Sequence, residues 1–572
     1  MSQKKIKKLR NIERLPQELP DFKDEDKHFI ISILKRNWIF LLIISLGIFL
    51  LFFNGLKGDF VSDDYATIIN NSDIKSLRYF SGNLTPVVFM NFLVGNIFGV
   101  TPLAYHVFSV LLYIFTCWVA FVFLNFFTSE RISRLAILIF AVMPIHVEAV
   151  TWISGKPYLF IAFFIMFSTI AFIKYLEEEK FRYLIYSALS FILAITADLP
   201  RPFSLFLVIF LYLILVNKKV FWTKFKKILP YMIGLVVLVV LIKFSYASSR
   251  VNVINSGYNQ SESIFYNPFF QYPTGIPKYL QLIFFPVDLT LYHTMYVFPI
   301  WLNWMIFLVF FGLIFYSFFK NKLIFFSLSF FLITLLPSMA PIKVSWLVAE
   351  RYAYLPSLGM ALFLGIIFNE IWEKNKYVCI VILSCICILF SIKVFQRNID
   401  WQTNHNLWVN TCQVSPNSHN AWNNIGDDYD KLSDYPNAIK GFTQSVLVKP
   451  NYADAYHNRA NVFFKSGRLD LARESYETAL RFSPSLYQTY LSLTQIDLYE
   501  KKADLALAHA TKAVELQPND PQAQYALGIV KAQLGLIDEA KQIFQSILAV
   551  YPDYAPAKNA LIQIAAFKVG NT

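Results

Sequence analysis

Cysteine is scarce in this chain. Five are present in 572 residues (Cys117, Cys379, Cys385, Cys387 and Cys412), four of them inside apolar runs and none in a paired metal-ligand spacing. Neither a disulfide framework nor a zinc site is indicated. Charge is also thin, at 16% of residues, and 38 acidic residues against 51 basic ones leave a formal net charge of +13. Such an excess suits nucleic acid, yet much of the Lys and Arg lies in short stretches between apolar runs, a pattern that sets membrane topology and not ligand choice, so no nucleic-acid partner is expected. Glycine, at 19, is far outnumbered by phenylalanine, at 57, and 56% of the chain is hydrophobic, above the roughly 45–50% of a soluble domain. The excess is concentrated before about residue 395, and the remainder reads as water-soluble. Two parts adapted to two solvents follow, the first integral to the lipid bilayer.

Runs long enough to cross roughly 30 Å of hydrocarbon fall at 38–56, 103–127, 132–151, 157–176, 182–198, 200–217, 228–246, 297–319, 322–338, 352–371 and 376–394. About eleven transmembrane helices are therefore predicted. The first 36 residues carry ten Lys or Arg before a span that no small-residue cleavage site follows, which reads as a cytoplasmic tail (1–36) and a retained signal-anchor. Loops on that same side hold Arg131 and Arg134, Lys174 to Arg182, Lys218 to Lys227, Lys320 and Lys322, and Lys374 and Lys376, as the positive-inside rule requires. Residues 276–292 are apolar but interrupted by Pro277, Pro286 and Asp288, and read as re-entrant or interfacial. The opposite face then collects Asp63, Asp64, His146, Glu148, Lys156, Asp198, Arg201, the 247–296 loop, Glu350 and Arg351.

From Asp400 onward the chain repeats every 34 residues, with Ala438, Ala472, Ala506 and Ala540 in step and Pro450, Pro484, Pro518 and Pro552 in step behind them. This is the period of tetratricopeptide repeats. Trp422, Tyr456 and Tyr490 recur on first helices and Phe442, Tyr476 and Phe544 on second helices, Ala510 standing in for the aromatic of the third repeat. Small residues let two helices approach, aromatics fill the holes, and proline ends each pair. Repeats are expected at 420–453, 454–487, 488–521 and 522–555, with a half-repeat at Trp408 and Pro416 and a closing helix over 555–568. The concave surface of such an array suits an extended polypeptide, with Asn424, Tyr429, Asn458 and Arg459 as candidate contacts. Solenoids also serve as spacers or dimer contacts.

Three segments carry candidate chemistry. Asp63 and Asp64 lie seven residues beyond the first apolar run, and carboxylates beside lipid persist mostly where a function or a buried partner requires them; the plain alternative is a solvated loop that caps the next segment. Pro144-Ile-His146-Val-Glu148 through Trp152 to Lys156 crowds polar groups at the end of the third run. His146 and Glu148, two apart, would point away from each other on a regular helix unless Pro144 re-aims them. As metal ligands they fall short in number. Finally, Glu350-Arg351-Tyr352 sets an arginine suited to a bidentate phosphate contact at the mouth of the tenth span; the alternatives are an arginine snorkelling to headgroups or paired with Glu350.

The order and spacing of these segments resemble the tetratricopeptide-bearing O-mannosyltransferases of the TMTC family and their prokaryotic relatives, within the GT-C class of polytopic glycosyltransferases. The likeness rests on Asp63-Asp64, on Tyr105-His106, on Pro144-x-His146-x-Glu148 with Trp152 and Gly155, on Glu350-Arg351-Tyr352-x-Tyr354-Leu355-Pro356, and on Arg397-Asn398-x-Asp400-Trp401 leading into the repeats. It implies an all-α fold: a GT-C membrane domain over 37–396 followed by an extracytoplasmic tetratricopeptide α-solenoid over 397–572. It also implies a polyprenyl-phosphate sugar as donor, mannose or another hexose; no cofactor beyond it is certain, and a divalent metal is left open without being indicated. One carboxylate of the pair, Asp64 or Asp63, would take the proton of a Ser or Thr hydroxyl in a single inverting displacement. Arg351, then Lys156 and Arg201, would meet the leaving phosphate; His146 and Glu148 would hold the sugar or orient the base, with His106, Glu350 and Tyr352 helping to seat the donor. Where relatives carry an Arg and, two residues on, an acid, this chain has Lys156 and Tyr158; where they have Ser-Lys-Glu, it has Ala197-Asp198-Leu199, with Arg201 three residues beyond Asp198. A bacterial inner membrane with a periplasmic site is expected, or an endoplasmic-reticulum membrane with a lumenal one. A glycan or lipid acceptor, with the repeats holding a pathway partner, and a non-catalytic membrane scaffold are the rival readings.

Overall fold

A computed structural model describes residues 29–570 except 83, 199–200, 216–228, 238–266, 295–297 and 340–345. Most of the basic tail, the Lys218 to Lys227 loop, about half of the 228–246 span and residues 247–266 and 295–296 of the 247–296 loop lie outside the described residues. Every regular element among those described is helical, and the chain divides into two compact units, 1–410 and 411–572.

Among the described residues of the first unit, five helical stretches are long and apolar enough to cross a bilayer: Pro102–Asn125, Ile153–Glu178, Ile300–Lys320, Glu350–Lys374 and Lys376–Asp400. Two bent pairs bring the number to seven: Phe29–Arg36 with Trp38–Leu51, turned by 66°, and Glu130–Ala141 with Pro144–Thr151, turned by 60°. Both bends have local causes. At the first, the buried Asn37 donates to Glu130 at 3.1 Å and accepts from Arg134 at 2.7 Å; at the second, Pro144 cannot continue the helix. Two expected spans are shorter, forming Phe181–Ala197 and Lys322–Ser338, and the 200–217 run is described as a helix over Arg201–Leu215. Residues 276–292 contribute to a helix, Pro268–Phe284, that ends before Pro286.

Polar and small residues set how these helices meet. Asn321 and Asn375 each cap a helix by accepting two backbone N–H groups, which starts Lys322–Leu335 and Lys376–Asp400 sharply after their predecessors. At Gly359, an added Cβ would stand 2.5 Å from the Ser327 carbonyl oxygen and 2.7 Å from the Phe331 nitrogen. Helices Lys322–Leu335 and Tyr354–Lys374 therefore touch backbone to backbone, as small residues permit in membranes.

The second unit is a train of antiparallel pairs: His419–Lys431 with Tyr435–Val448, Ala453–Lys465 with Leu469–Phe482, Tyr487–Tyr499 with Ala503–Leu516, and Pro521–Gln533 with Ile537–Val550. Ala438, Ala472, Ala506 and Ala540 are fully buried, and Phe442, Tyr476 and Phe544 lie beside them. A last helix, Ala555–Gly570, packs Ala557 and Ala560 against Phe544 and Ile547. Where Ala510 leaves the third repeat without its aromatic, a fully buried Asp497 holds Arg473 at 2.6 Å and His509 at 2.6 Å. The division at 410/411 falls beyond the 396/397 boundary read from composition. The cause is that Asn398, Gln402 and Asn404 are hydrogen-bonded to residues 51–62.

The Gly359 contact makes the first prediction. Gly359→Val should cost about 3 kcal/mol, the upper range for overpacking, because the clashing atoms are backbone and cannot rotate away. A lowered thermal midpoint of the detergent-solubilised protein would register it, and an unchanged midpoint would contradict the contact.

Candidate active site

The segment from Pro144 to Lys156 is the scaffold. A 3-10 turn, Pro144–His146, leads into the short helix Val147–Thr151, and a second turn, Ile153–Gly155, leads into the helix beginning at Lys156. Gly155 is required by close approach, since a Cβ there would sit 2.6 Å from the Glu148 carbonyl oxygen. Glu148 is fully buried. One of its carboxylate oxygens accepts the Arg351 backbone N–H at 2.9 Å, and the other pairs with the Arg351 guanidinium.

Arg351 lies in turn against aromatic faces, 5.0 Å from the Tyr352 ring centre and 5.4 Å from that of Trp152, and its Nε donates to the Tyr158 hydroxyl at 3.3 Å. A second guanidinium, that of Arg201, stands 4.3 Å from the Tyr352 ring and 4.8 Å from the Tyr158 ring. It pairs with Asp198 and donates to Ser338 at 2.9 Å. Both arginines line a cleft of about 280 Å³, counting the space open to solvent, with Tyr158, Tyr352, Ser204 and Thr334 as further polar walls and Ile161, Leu355 and Pro356 as apolar ones. The arrangement offers an anion two countered cations and an attached apolar chain a nonpolar wall.

The paired aspartates divide. Asp64 is wholly buried: one carboxylate oxygen accepts from the Val61 N–H at 3.0 Å, the other from the Ser154 N–H at 2.8 Å and hydroxyl at 2.5 Å. Burial pushes its pKa up to about 6, against the pull of these hydrogen bonds and of the Lys156 charge. Asp63 is exposed at the surface of the same turn. The crowding around its carboxyl raises its pKa, and the charge of Arg351 opposes the rise. The charge of Arg351 is thus felt at the Asp63 carboxyl. The short π-helix Tyr65–Ile69 that follows is of a kind frequent at functional sites.

Other expected residues sit elsewhere. His146 is fully buried, its Nδ1 2.9 Å from the Tyr113 hydroxyl and its Nε2 2.7 Å from the Ser357 hydroxyl. With both ring nitrogens engaged in the core, it is closed to a sugar. Glu148 likewise serves Arg351 and not a sugar. Glu350 turns away from Arg351: it accepts the Thr290 N–H and pairs with Arg397 at 3.2 Å. Lys156 is buried, donating to Asn91 at 3.2 Å and lying 4.7 Å from the Tyr105 ring centre; its charge reaches Asp64, and it does not line the arginine cleft. His106 is buried near Gly58, whose added Cβ would meet Nε2 at 3.2 Å. Among the described residues no cluster of three or more His, Cys, Asp or Glu could hold a metal ion.

Within the repeats, Asn458 donates to Asn423 at 3.1 Å, and Arg459 stacks 5.2 Å from the Tyr456 ring centre and reaches Ser475 at 3.4 Å. Tyr429 packs on the cluster of Ala438, Phe442 and Val462, while Asn424 is half-buried. Sequence reasoning missed Ser154, Tyr158 as a cleft wall, and Asn404. Ser154 had a local signal, a hydroxyl between Ile153 and the obligatory Gly155; Asn404 had none, since its contact lies 342 residues away.

Residues 86–246 match the family of dolichyl-phosphate-mannose-protein mannosyltransferases, and residues 423–486 and 497–564 match tetratricopeptide-repeat families. The first match holds His106, His146, Glu148, Lys156 and Arg201 but neither the aspartate pair nor Arg351. Human protein O-mannosyl-transferase TMTC3 is 24% identical over 87% of this chain and 62% of its own length. A Caenorhabditis elegans protein O-mannosyl-transferase is 24% identical over 72% of this chain and 63% of its own length, and Tmtc3 of Drosophila melanogaster is 23% identical over 30% and 20%. The chain thus spans less than two thirds of the length of these relatives. A segment similar to the mannosyltransferase family inside the membrane-helix unit, with a tetratricopeptide array behind it, is the combination that the motif order implied.

Proposed function

We propose that the protein transfers a mannosyl unit from a polyprenyl phosphate to Ser or Thr hydroxyls of a protein. The observation that carries this reading is the pairing of Arg351 and Arg201 across Tyr158 and Tyr352 in one cleft, with Asp63 in the field of Arg351. The donor phosphate lies against the two guanidiniums, and its polyprenyl chain runs along the apolar wall. Asp63, the exposed member of the pair, takes the hydroxyl proton as the hydroxyl oxygen bonds to the anomeric carbon. The bond from that carbon to the phosphate oxygen breaks, and its electron pair leaves with the lipid phosphate. One base and one displacement invert the anomeric centre. Charge grows on the phosphate in the transition state, where cations fixed in advance stabilise it most. Asp64 holds the turn, and Lys156 balances its charge.

With the eleven spans and cytoplasmic N-terminus expected from the sequence, this site and the repeats would lie outside the cytoplasm, at a bacterial periplasmic face or an endoplasmic-reticulum lumen. The concave face of the repeats, through Asn424 and Asn458, receives the extended acceptor.

In membranes supplied with mannosyl polyprenyl phosphate and a Ser/Thr-rich acceptor, Asp63→Asn should lower transfer about a hundredfold or more, the range for loss of a general base. Intact-mass spectrometry of the acceptor reads the hexose gain. Donor consumption without a gain in protein mass would move the acceptor to a glycan or lipid, and full activity in the variant would remove Asp63 as the base.

Acidity gives an independent check. The base acts only when ionised and its pKa is raised, so the rate should hold at neutral pH and fall as pH drops through a midpoint above the ordinary aspartate value of 3.8. A profile flat down to that value would contradict the assignment.

Glu148→Gln tests the cleft. It strands the Arg351 charge in a buried place, with an expected loss of about 3–5 kcal/mol in stability and a parallel loss of transfer. A variant with wild-type thermal midpoint and rate would show that the pair holds nothing in place.

A further inference from the structure

We infer that Asn404, on the segment that follows the last membrane helix, is a positioning residue for Asp63, acting through the backbone of Ser62. The inference rests on Asp63 as the base. The turn that presents the aspartates is closed by the Asp64 N–H donating to the Val61 carbonyl at 3.1 Å, with Ser62 and Asp63 at its two central positions. Ser62 has φ +54°, a left-handed conformation that glycine takes freely and serine rarely. Inside the turn the Val61 N–H donates to the Asp64 carboxylate at 3.0 Å; the hold on Ser62 itself comes from outside the turn. The Ser62 N–H donates to the Asn404 side-chain oxygen at 2.8 Å.

The same segment grips the loop at three more points. The Asp59 N–H donates to the Gln402 carbonyl at 2.8 Å, Gln402 Nε2 to the Asn54 carbonyl at 2.9 Å, and Asn398 Nδ2 to the Asn54 side chain at 2.9 Å. Residues 54–62 therefore take their path from residues 398–404. Asn404 is the last of these contacts and the one nearest the base. Because Asp63 follows Ser62 directly, a flip of Ser62 into the right-handed region would swing the Asp63 carboxylate off its line. Asp64 would stay anchored by Ser154.

The test compares wild type, Asn404→Ala, Asn404→Asp, Ser62→Gly and the double variant Ser62→Gly with Asn404→Ala, in membranes supplied with mannosyl polyprenyl phosphate and a Ser/Thr-rich acceptor. Asn404→Ala should lower kcat about a hundredfold, the scale of a small misplacement of a catalytic group, with KM for the donor unchanged. Asn404→Asp keeps an acceptor oxygen and should stay near wild type. Ser62→Gly, which needs no outside hold, should be active alone and should restore the double variant. Should Asn404→Ala fail to fold, Ser62→Val serves in its place: a β-branched residue resists the left-handed region with Asn404 intact, and the same loss of kcat is expected. Wild-type kcat in Asn404→Ala or Ser62→Val, or a double variant as slow as Asn404→Ala, overturns the inference. Asp63→Asn runs beside them: if it stays active, the base assignment has failed, whereas an inactive Asp63→Asn beside a fully active Asn404→Ala sinks the positioning role alone.

Discussion

Everything at this site depends on the buried pair of Glu148 and Arg351. Two ionised groups withdrawn from water are costly to hold, and the attraction between them offsets that cost only when geometry is good and the spare hydrogen-bonding capacity is filled. Here Glu148 takes both the guanidinium and the backbone N–H of the same residue, so the pair fixes a chain segment as well as a charge. The rest of the guanidinium meets aromatic faces and the Tyr158 hydroxyl. It is thereby held still and left open toward the cleft. A cation placed before any ligand arrives needs little reorganisation when negative charge develops beside it.

The pairing also decides where the neighbouring residue goes. Glu350 and Arg351 are adjacent in a 3-10 turn, Glu350–Ala353, and their side chains diverge. Arg351 reaches back to the 144–156 segment while Glu350 reaches Arg397 near the end of the last membrane helix. The 144–156 segment makes its own second set of contacts. Thr151 donates to Asn398 at 2.7 Å, Trp152 stacks on Trp401 with centroids 5.7 Å apart, and Ser154 holds Asp64. One stretch of thirteen residues thus ties the arginine cleft, the aspartate loop and the end of the last helix together. Gly155 lets the stretch fold tightly enough to serve all three.

What the sequence made legible was what is local. The 34-residue period fixes helix pairs and their small and large positions within each repeat; those of the second helices are buried in the structure, while the first-helix aromatics Trp422, Tyr456 and Tyr490 are half-buried. Apolar runs likewise mark the membrane helices, though run length overstates span length: 182–198 and 322–338 form helices too short to count as spans by themselves. Site partners were not legible, because they are separated by 203 residues for Glu148 and Arg351 and by 90 for Asp64 and Ser154. Adjacency suggested Glu350 as the partner of Arg351, yet neighbours in a tight turn point apart. Residue type alone marked His146 as chemical, while its setting between Tyr113 and Ser357 makes it a core histidine.

A common device links the buried carboxylates, and it explains why the site lies at breaks in regular structure. A helix interior uses its own backbone N–H groups; a break releases them, and a released N–H buried away from water must find an acceptor. Arg351 N–H, at the 3-10 turn, goes to Glu148; Thr290 N–H, in an irregular stretch, goes to Glu350; Val61 N–H and Ser154 N–H, both in turns, go to Asp64. These hydrogen bonds favour the ionised form of each carboxylate against the burial that opposes it, as at Asp64, and each carboxylate faces a cation: Arg351, Arg397 and Lys156 respectively. The irregular backbone and the buried charges are therefore one solution to two problems. Removing either would leave the other uncompensated in a low-dielectric setting.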